Sequence, residues 1–227
     1  MSVLSPTSLA DSAGSIPPRL DPPRICGEDD FSLMLRRYRL ALALFVASVA
    51  MLFIGFSSAY VVRRGIPTYD AATGAYSTAW EPLRLPIGIL ILNTCLLICA
   101  SGAIEVVRRK ARVLLHGKAT IERGSRLWLN ASLLLGIGFL VGQGLAWHSL
   151  ASSGQLLSTG ARAAFFYVLS GTHAVHAFVG VLAVAVIAVF NVPVSAARRR
   201  IAVDVTAWYL HSMTLLWIYL ICFLLFA

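Results

Sequence analysis

Five stretches without Asp, Glu, Lys or Arg (residues 40–62, 85–104, 127–161, 163–197 and 205–227) make up most of this chain. Each reaches the ~20 residues that a helix needs to cross ~30 Å of hydrocarbon. Inside a bilayer no water satisfies backbone N–H and C=O groups, so a spanning segment must close its hydrogen bonds as a helix or in a closed barrel. A barrel would show short alternating segments instead of continuous apolar runs. The sequence therefore predicts an all-α integral membrane protein, a bundle of five transmembrane helices at about 40–62, 86–107, 127–148, 163–190 and 205–226. A charged fraction of 13% and a mean hydropathy of +0.78 belong to the same class.

The net charge of +9 raises nucleic acid as a partner, but the positions of the charges exclude it. Segments on one side of the expected membrane collect 15 Lys and Arg, and those on the other side collect 4. The positive-inside rule then predicts a cytoplasmic N-terminus and an outer C-terminus. Arg36, Arg37, Arg108 and Arg109 flank the spans on the basic side and are candidates to meet anionic phospholipid. Residues 1–34 hold five of the nine prolines and the acidic patch Glu28-Asp29-Asp30, and are expected to form a disordered cytoplasmic tail before the membrane domain at 35–227. Cys26, Cys95, Cys99 and Cys222 show no metal-binding spacing, and Cys95 and Cys99 are expected to act as small packing residues.

Polar residues inside the spans are the candidates for function, because each needs a partner there. His173 and His176 stand three apart in the fourth span and project from roughly one side of a helix. At ~1.5 Å per residue, His176 and His211 of the fifth span reach similar depths, about 10 Å from the basic boundary. Two readings follow. The rings bond to hydroxyls and carbonyls of neighbouring helices, with Ser170, Thr172, Tyr209 and Thr214 close in sequence. Alternatively, His176 and His211 are the axial ligands of a haem in a free-standing b-type cytochrome. Asn93 and Gln143 are expected as hydrogen-bond partners between helices. Glu105 is expected to pair with Arg108 and Arg109 at the boundary, leaving the span interiors free of carboxylates. Tyr60 is placed at the membrane interface, and the small-residue stretches 57–58 and 136–138 are read as surfaces for close packing.

Taken in order, several landmarks resemble one family. They are 48–53 with Ser58-Ala59-Tyr60, then Pro86 to Asn93-Thr94, and Glu105 with its basic followers. Next come Gly142-Gln143-Gly144-Leu145-Ala146-Trp147, Phe165-Phe166-Tyr167, and Gly171-Thr172-His173-Ala174-Val175-His176, and finally Tyr209, His211 and Trp217. From about residue 35 onward the chain is similar to subunit III of the haem–copper terminal oxidases, in its short five-helix form. The resemblance implies a subunit that is not catalytic by itself and holds no cofactor or metal, with haem and copper in its partners. It also implies direct packing on oxidase subunit I, association with subunit II, bound phospholipid, support of proton uptake and stability during oxygen reduction, and a multi-pass place in the bacterial inner membrane. A nitric oxide reductase accessory protein of the same superfamily is the alternative. Two features depart from the family. Val49 stands where many members have a glutamate, and Leu210 and Thr214 replace the tryptophan and aspartate flanking the last histidine.

Overall fold

The computed structural model describes residues 28–70, 74–77, 85–113, 123–157, 160–189 and 196–226. It contains α1 (Glu28–Gly65), β1 (Thr68–Asp70), β2 (Ala75–Ser77), α2 (Ile87–Val113), α3 (Arg123–Ser152), α4 (Ala161–Val189) and α5 (Ala196–Phe226). All five helices are long and apolar enough to cross a membrane, and the protein is a multi-pass membrane protein. Each expected span lies within one of them except at its edges (Pro86 and residue 190), and most helices run on well past the uncharged runs. The reason is that charge ends a hydrophobic run without ending a helix, since Lys, Arg and Glu are good helix formers. Thus α1 begins at Glu28, inside the segment expected to be disordered, and α5 takes in Asp204. Most of that expected tail, with Cys26, lies outside the described residues, as do His116 and Trp80-Glu81-Pro82.

Contacts between side chains define the topology. Between α2 and α3, Ser132 Oγ donates to Ala100 O at 2.9 Å and Asn93 Nδ2 to Gln143 Oε1 at 3.5 Å, so rising numbers meet falling ones and the pair is antiparallel. Similar reciprocal registers join α3 to α4, α4 to α5, and α5 to α2. These four helices close into a ring. α1 stands outside it, against α4 and α5. Its contacts with α5 (Arg39 to Asp204, Ser57 to Tyr219, Tyr60 to Phe223) rise together, so these two helices are parallel.

The core holds Phe53, Phe139, Phe166, Met213 and Trp217, all nearly inaccessible. The outer faces are equally apolar, with Leu44, Ile91, Leu134, Val175 and Leu215 each more than half exposed. A bundle in lipid has no hydrophobic gain in hiding one leucine instead of another, so association relies on close approach of small residues and on hydrogen bonds. The expected packing stretch 136–138 fits only partly on the outside: Gly136 is buried against Val181 of α4. Ser57 is likewise buried, accepting from Tyr219 Oη at 3.0 Å. Tyr60 also lies inside, its ring 5.4 Å from Phe165 and 5.1 Å from Phe223. Cys95, Cys99 and Cys222 are exposed and do not serve the core.

Two local signals shape the connections. Gly154, at φ +79°, ends α3: its N–H bonds Ala151 O and the next N–H bonds Leu150 O, the double closure that a left-handed residue permits. Between α1 and α2, β1 and β2 pair antiparallel around Gly74, with the Tyr69 and Tyr76 rings 5.2 Å apart. This hairpin lies between the first two expected spans.

Gly142 makes the tightest approach among the described glycines, because a Cβ there would overlap the Asn93 amide. Gly142→Ala is expected to cost about 1–3 kcal/mol of stability. Gly144→Ala, with nothing within 4 Å of the added atom, should be neutral or slightly stabilising. Thermal unfolding of both variants in one detergent checks this, and equal melting temperatures would contradict the packing described.

Candidate functional site

The polar side chains of the bundle gather in two places. One is the end carrying Arg39, Arg108 and Asp204, here called the basic end; the other is the middle of the four-helix ring.

At the basic end, Asp204 is almost completely buried, its side chain 6% exposed. It accepts a bidentate pair from Arg39 of α1, Nε to Oδ2 at 2.8 Å and Nη2 to Oδ1 at 3.0 Å. Arg108 of α2 approaches from the other side, with Nη1 3.6 Å from Oδ1. Arg108 also forks onto Glu105, at 2.5 and 2.9 Å, and lies 5.5 Å above the Trp208 ring. Glu105 further accepts from Arg109 Nε at 3.0 Å. Its Oε2 is 3.2 Å from His211 Nε2, whose Nδ1 faces Ser101 Oγ. A carboxylate accepts, so Nε2 carries the proton and Nδ1 is left to accept from the serine hydroxyl. Three helices are thus joined through one chain of charge-assisted bonds, the stronger kind in a medium of low polarity.

In the middle of the ring, His173 is fully buried. It donates from Nε2 to Met213 O at 3.1 Å, between Trp217 (centroids 4.9 Å) and Phe139 (5.7 Å). Trp217 Nε1 donates to Thr94 Oγ1 at 3.1 Å, which donates to Leu90 O. Trp147 Nε1 donates to Ser170 Oγ at 3.0 Å. Asn93 Nδ2 donates to Gln143 Oε1 across α2 and α3. Tyr209 donates to His176 O at 2.9 Å, and Thr214 to Leu210 O within its own helix. Apart from the Thr94 and Thr214 hydroxyls, which donate within their own helices, each of these bonds ties one helix to a neighbour.

The two histidines at matched depth do not converge. His211 turns to α2, with both ring nitrogens engaged, whereas His176 turns to α1. His176 Nδ1 donates to Thr172 O at 2.7 Å, and its ring rests near Phe45 (6.4 Å) and Phe53 (6.2 Å). Axial ligation of one haem would need both rings to face a shared gap with a free nitrogen each, and this arrangement offers neither. Val49, on the α1 face between Phe45 and Phe53, is buried.

Of the arginines read as candidates to meet lipid, Arg36, Arg37 and Arg109 are exposed, Arg109 while also paired with Glu105, and Arg108 is largely buried between Glu105 and Asp204. Asp204 was not legible as a site residue, since it stands among charges just outside the last apolar run. Its position one residue before the last apolar run, where a helical extension carries it opposite Arg39 at the edge of the first span, is the signal that would have found it.

The fold and these joints define a multi-pass helical membrane protein whose polar groups fasten its own helices to one another. The model of the family described as cytochrome c oxidase subunit III matches residues 25–227, so the chain belongs to that family. It is 25% identical over 180 residues to the probable cytochrome c oxidase subunit 3 of Nocardia farcinica, covering 77% of this chain and 80% of that one. Identity to cytochrome c oxidase subunit 3 of Xenopus laevis is 27% over 184 residues, covering 80% of this chain and 66% of the relative. For that of Thermostichus vulcanus it is 29% over 149 residues, 63% of each. The chain thus spans about two-thirds of the latter two proteins.

Replacing Asp204 by Asn leaves Arg39 and Arg108 facing a neutral group. The expected loss is about 3 kcal/mol, the range for breaking a buried pair from one side. Arg36→Gln, at an exposed position, should change little. A melting temperature for Asp204→Asn equal to that of Arg36→Gln would remove the basic-end network as a stabilising element.

Proposed function

We propose that this chain serves as subunit III of a respiratory haem–copper oxidase in a bacterial inner membrane, packing directly on subunit I in a complex that includes subunit II. Its N-terminus and basic end face the cytoplasm, in keeping with the excess of Lys and Arg there. It holds no redox group. Haem and copper belong to the partner subunits, and this chain supports their proton uptake and stability during oxygen reduction. The observation that carries this reading is the family match over residues 25–227. The geometry agrees with it: His173, His176 and His211 are all committed to bonds within the bundle, which suits a scaffold better than a cofactor carrier. Phospholipid meets the chain at the exposed Arg36 and Arg37. With Val49 buried against apolar neighbours, this chain plays no part that needs a carboxylate at that position.

A tagged full-length chain, extracted in mild detergent, should bring with it haem absorbance and the larger oxidase subunits. His176→Ala should leave the haem signal per complex unchanged. A Soret band from the isolated chain that disappears with His176→Ala would replace this reading by the cytochrome one.

A further inference from the structure

Three polar atoms in the middle of the four-helix ring have no hydrogen-bond partner among the described residues: Asn93 Oδ1 of α2, Gln143 Nε2 of α3 and His173 Nδ1 of α4. All three residues are fully buried, at 0% exposure. A polar group taken out of water in this way bears its whole desolvation cost unless something meets it. The three share one neighbourhood. Asn93 and Gln143 touch across α2 and α3, and Asn93 Oδ1 is the atom that a Cβ on Gly142 would strike, which places it on α3 beside Gln143. The Trp147–Ser170 bond and the Gly136–Val181 contact set α3 on α4 so that Gln143 stands level with Ala174, next to His173. Phe139, one turn from Gln143 on the same face of α3, lies 5.7 Å from the His173 ring. Trp217 packs on that ring at 4.9 Å and bonds Thr94, the neighbour of Asn93.

Direct pairing does not complete the set. Two amides that close on each other exchange two bonds of about 2.9 Å. Here one bond joins them, at 3.5 Å, and the second pair of amide atoms stays apart. His173 gives its Nε2 proton to Met213 O, so Nδ1 offers a lone pair and no hydrogen. What is unfilled is therefore one amide donor, one amide acceptor and one imidazole acceptor. Turning both amides over exchanges which residue supplies the donor and leaves the count unchanged. A cation would want acceptors throughout, and an anion donors throughout. The mixed set suits a small neutral molecule with two hydrogens to give and a lone pair to receive.

We infer that the middle of the ring is a binding site for one water molecule, which accepts from the Gln143 amide and donates to the Asn93 carbonyl and to His173 Nδ1. About three bonds to otherwise unpaired groups is the usual complement of a buried water. The molecule joins α2, α3 and α4 at one point, where direct bonds join these helices only in pairs. The site does not depend on the oxidase reading.

The test is a structure of the purified full-length chain, with whatever subunits accompany it, at a resolution that shows ordered solvent. One solvent peak should stand within about 3.2 Å of all three side chains. Asn93→Leu/Gln143→Leu, which substitutes apolar groups for both amides, should lose the peak while His173 keeps its bond to Met213 O. Ser132→Ala removes a complete bond between the same two helices and should keep the peak. The inference is overturned by a parent without the peak, by amides closed on each other at about 2.9 Å, or by a peak that reaches fewer than all three side chains. A peak that survives the double variant, or is lost equally in Ser132→Ala, overturns it too. Should the double variant fail to fold, the parent structure decides alone.

Discussion

Asp204 is the one carboxylate on which the arrangement at the basic end depends. In a medium that offers no water, a buried carboxylate holds its position only with matched donors, and Arg39 and Arg108 supply them from two other helices. That single group sets the height of α1 against α5 and of α2 against both. Around it Glu105 and His211 complete a run of bonds from Arg39 to Ser101. The remaining joints, at Trp217 and Thr94, Tyr209 and His176, and Trp147 and Ser170, repeat the principle with neutral groups along the bundle. Because the outer faces are as apolar as the inner ones, these directional bonds and the close approaches at Gly136, Gly142 and Gly180 decide which faces meet.

The five spans were legible because hydrocarbon thickness is a stringent filter on length and charge. Asn93, Gln143, His173 and His211 were legible as polar residues that could not be left without partners. Helix ends were not, because hydropathy records where the membrane stops and backbone hydrogen bonding continues beyond it; α1 and α5 both extend into charged sequence. Nor was the direction in which each histidine faces. Similar depth for His176 and His211 followed from rise per residue, but rotation about the helix axis sends one to α1 and the other to α2. The Asp204–Arg39 pair was hidden by a separation of 165 residues, which no local pattern spans. The hairpin of two three-residue strands is too short for an alternation to be read.

Val49 shows how the bundle accommodates a departure from the family pattern. An apolar side chain there continues the aromatic wall of Phe45 and Phe53 against His176, whose Nδ1 donates to Thr172 O and whose backbone carbonyl accepts from Tyr209 Oη. The α1 surface at this position covers the ring with apolar side chains.

The placing of α1 outside the four-helix ring has a consequence for how the protein is made. Synthesis delivers α1 before α2 and α3, yet its neighbours are α4 and α5, which leave the ribosome after them. Until then Arg39 has no Asp204, and α1 resides in the bilayer as a solitary helix. α2 and α3, whose partners are adjacent in sequence, pair meanwhile. Of these five helices the one made earliest is the last to be locked into the structure, and loss of α5 would release it.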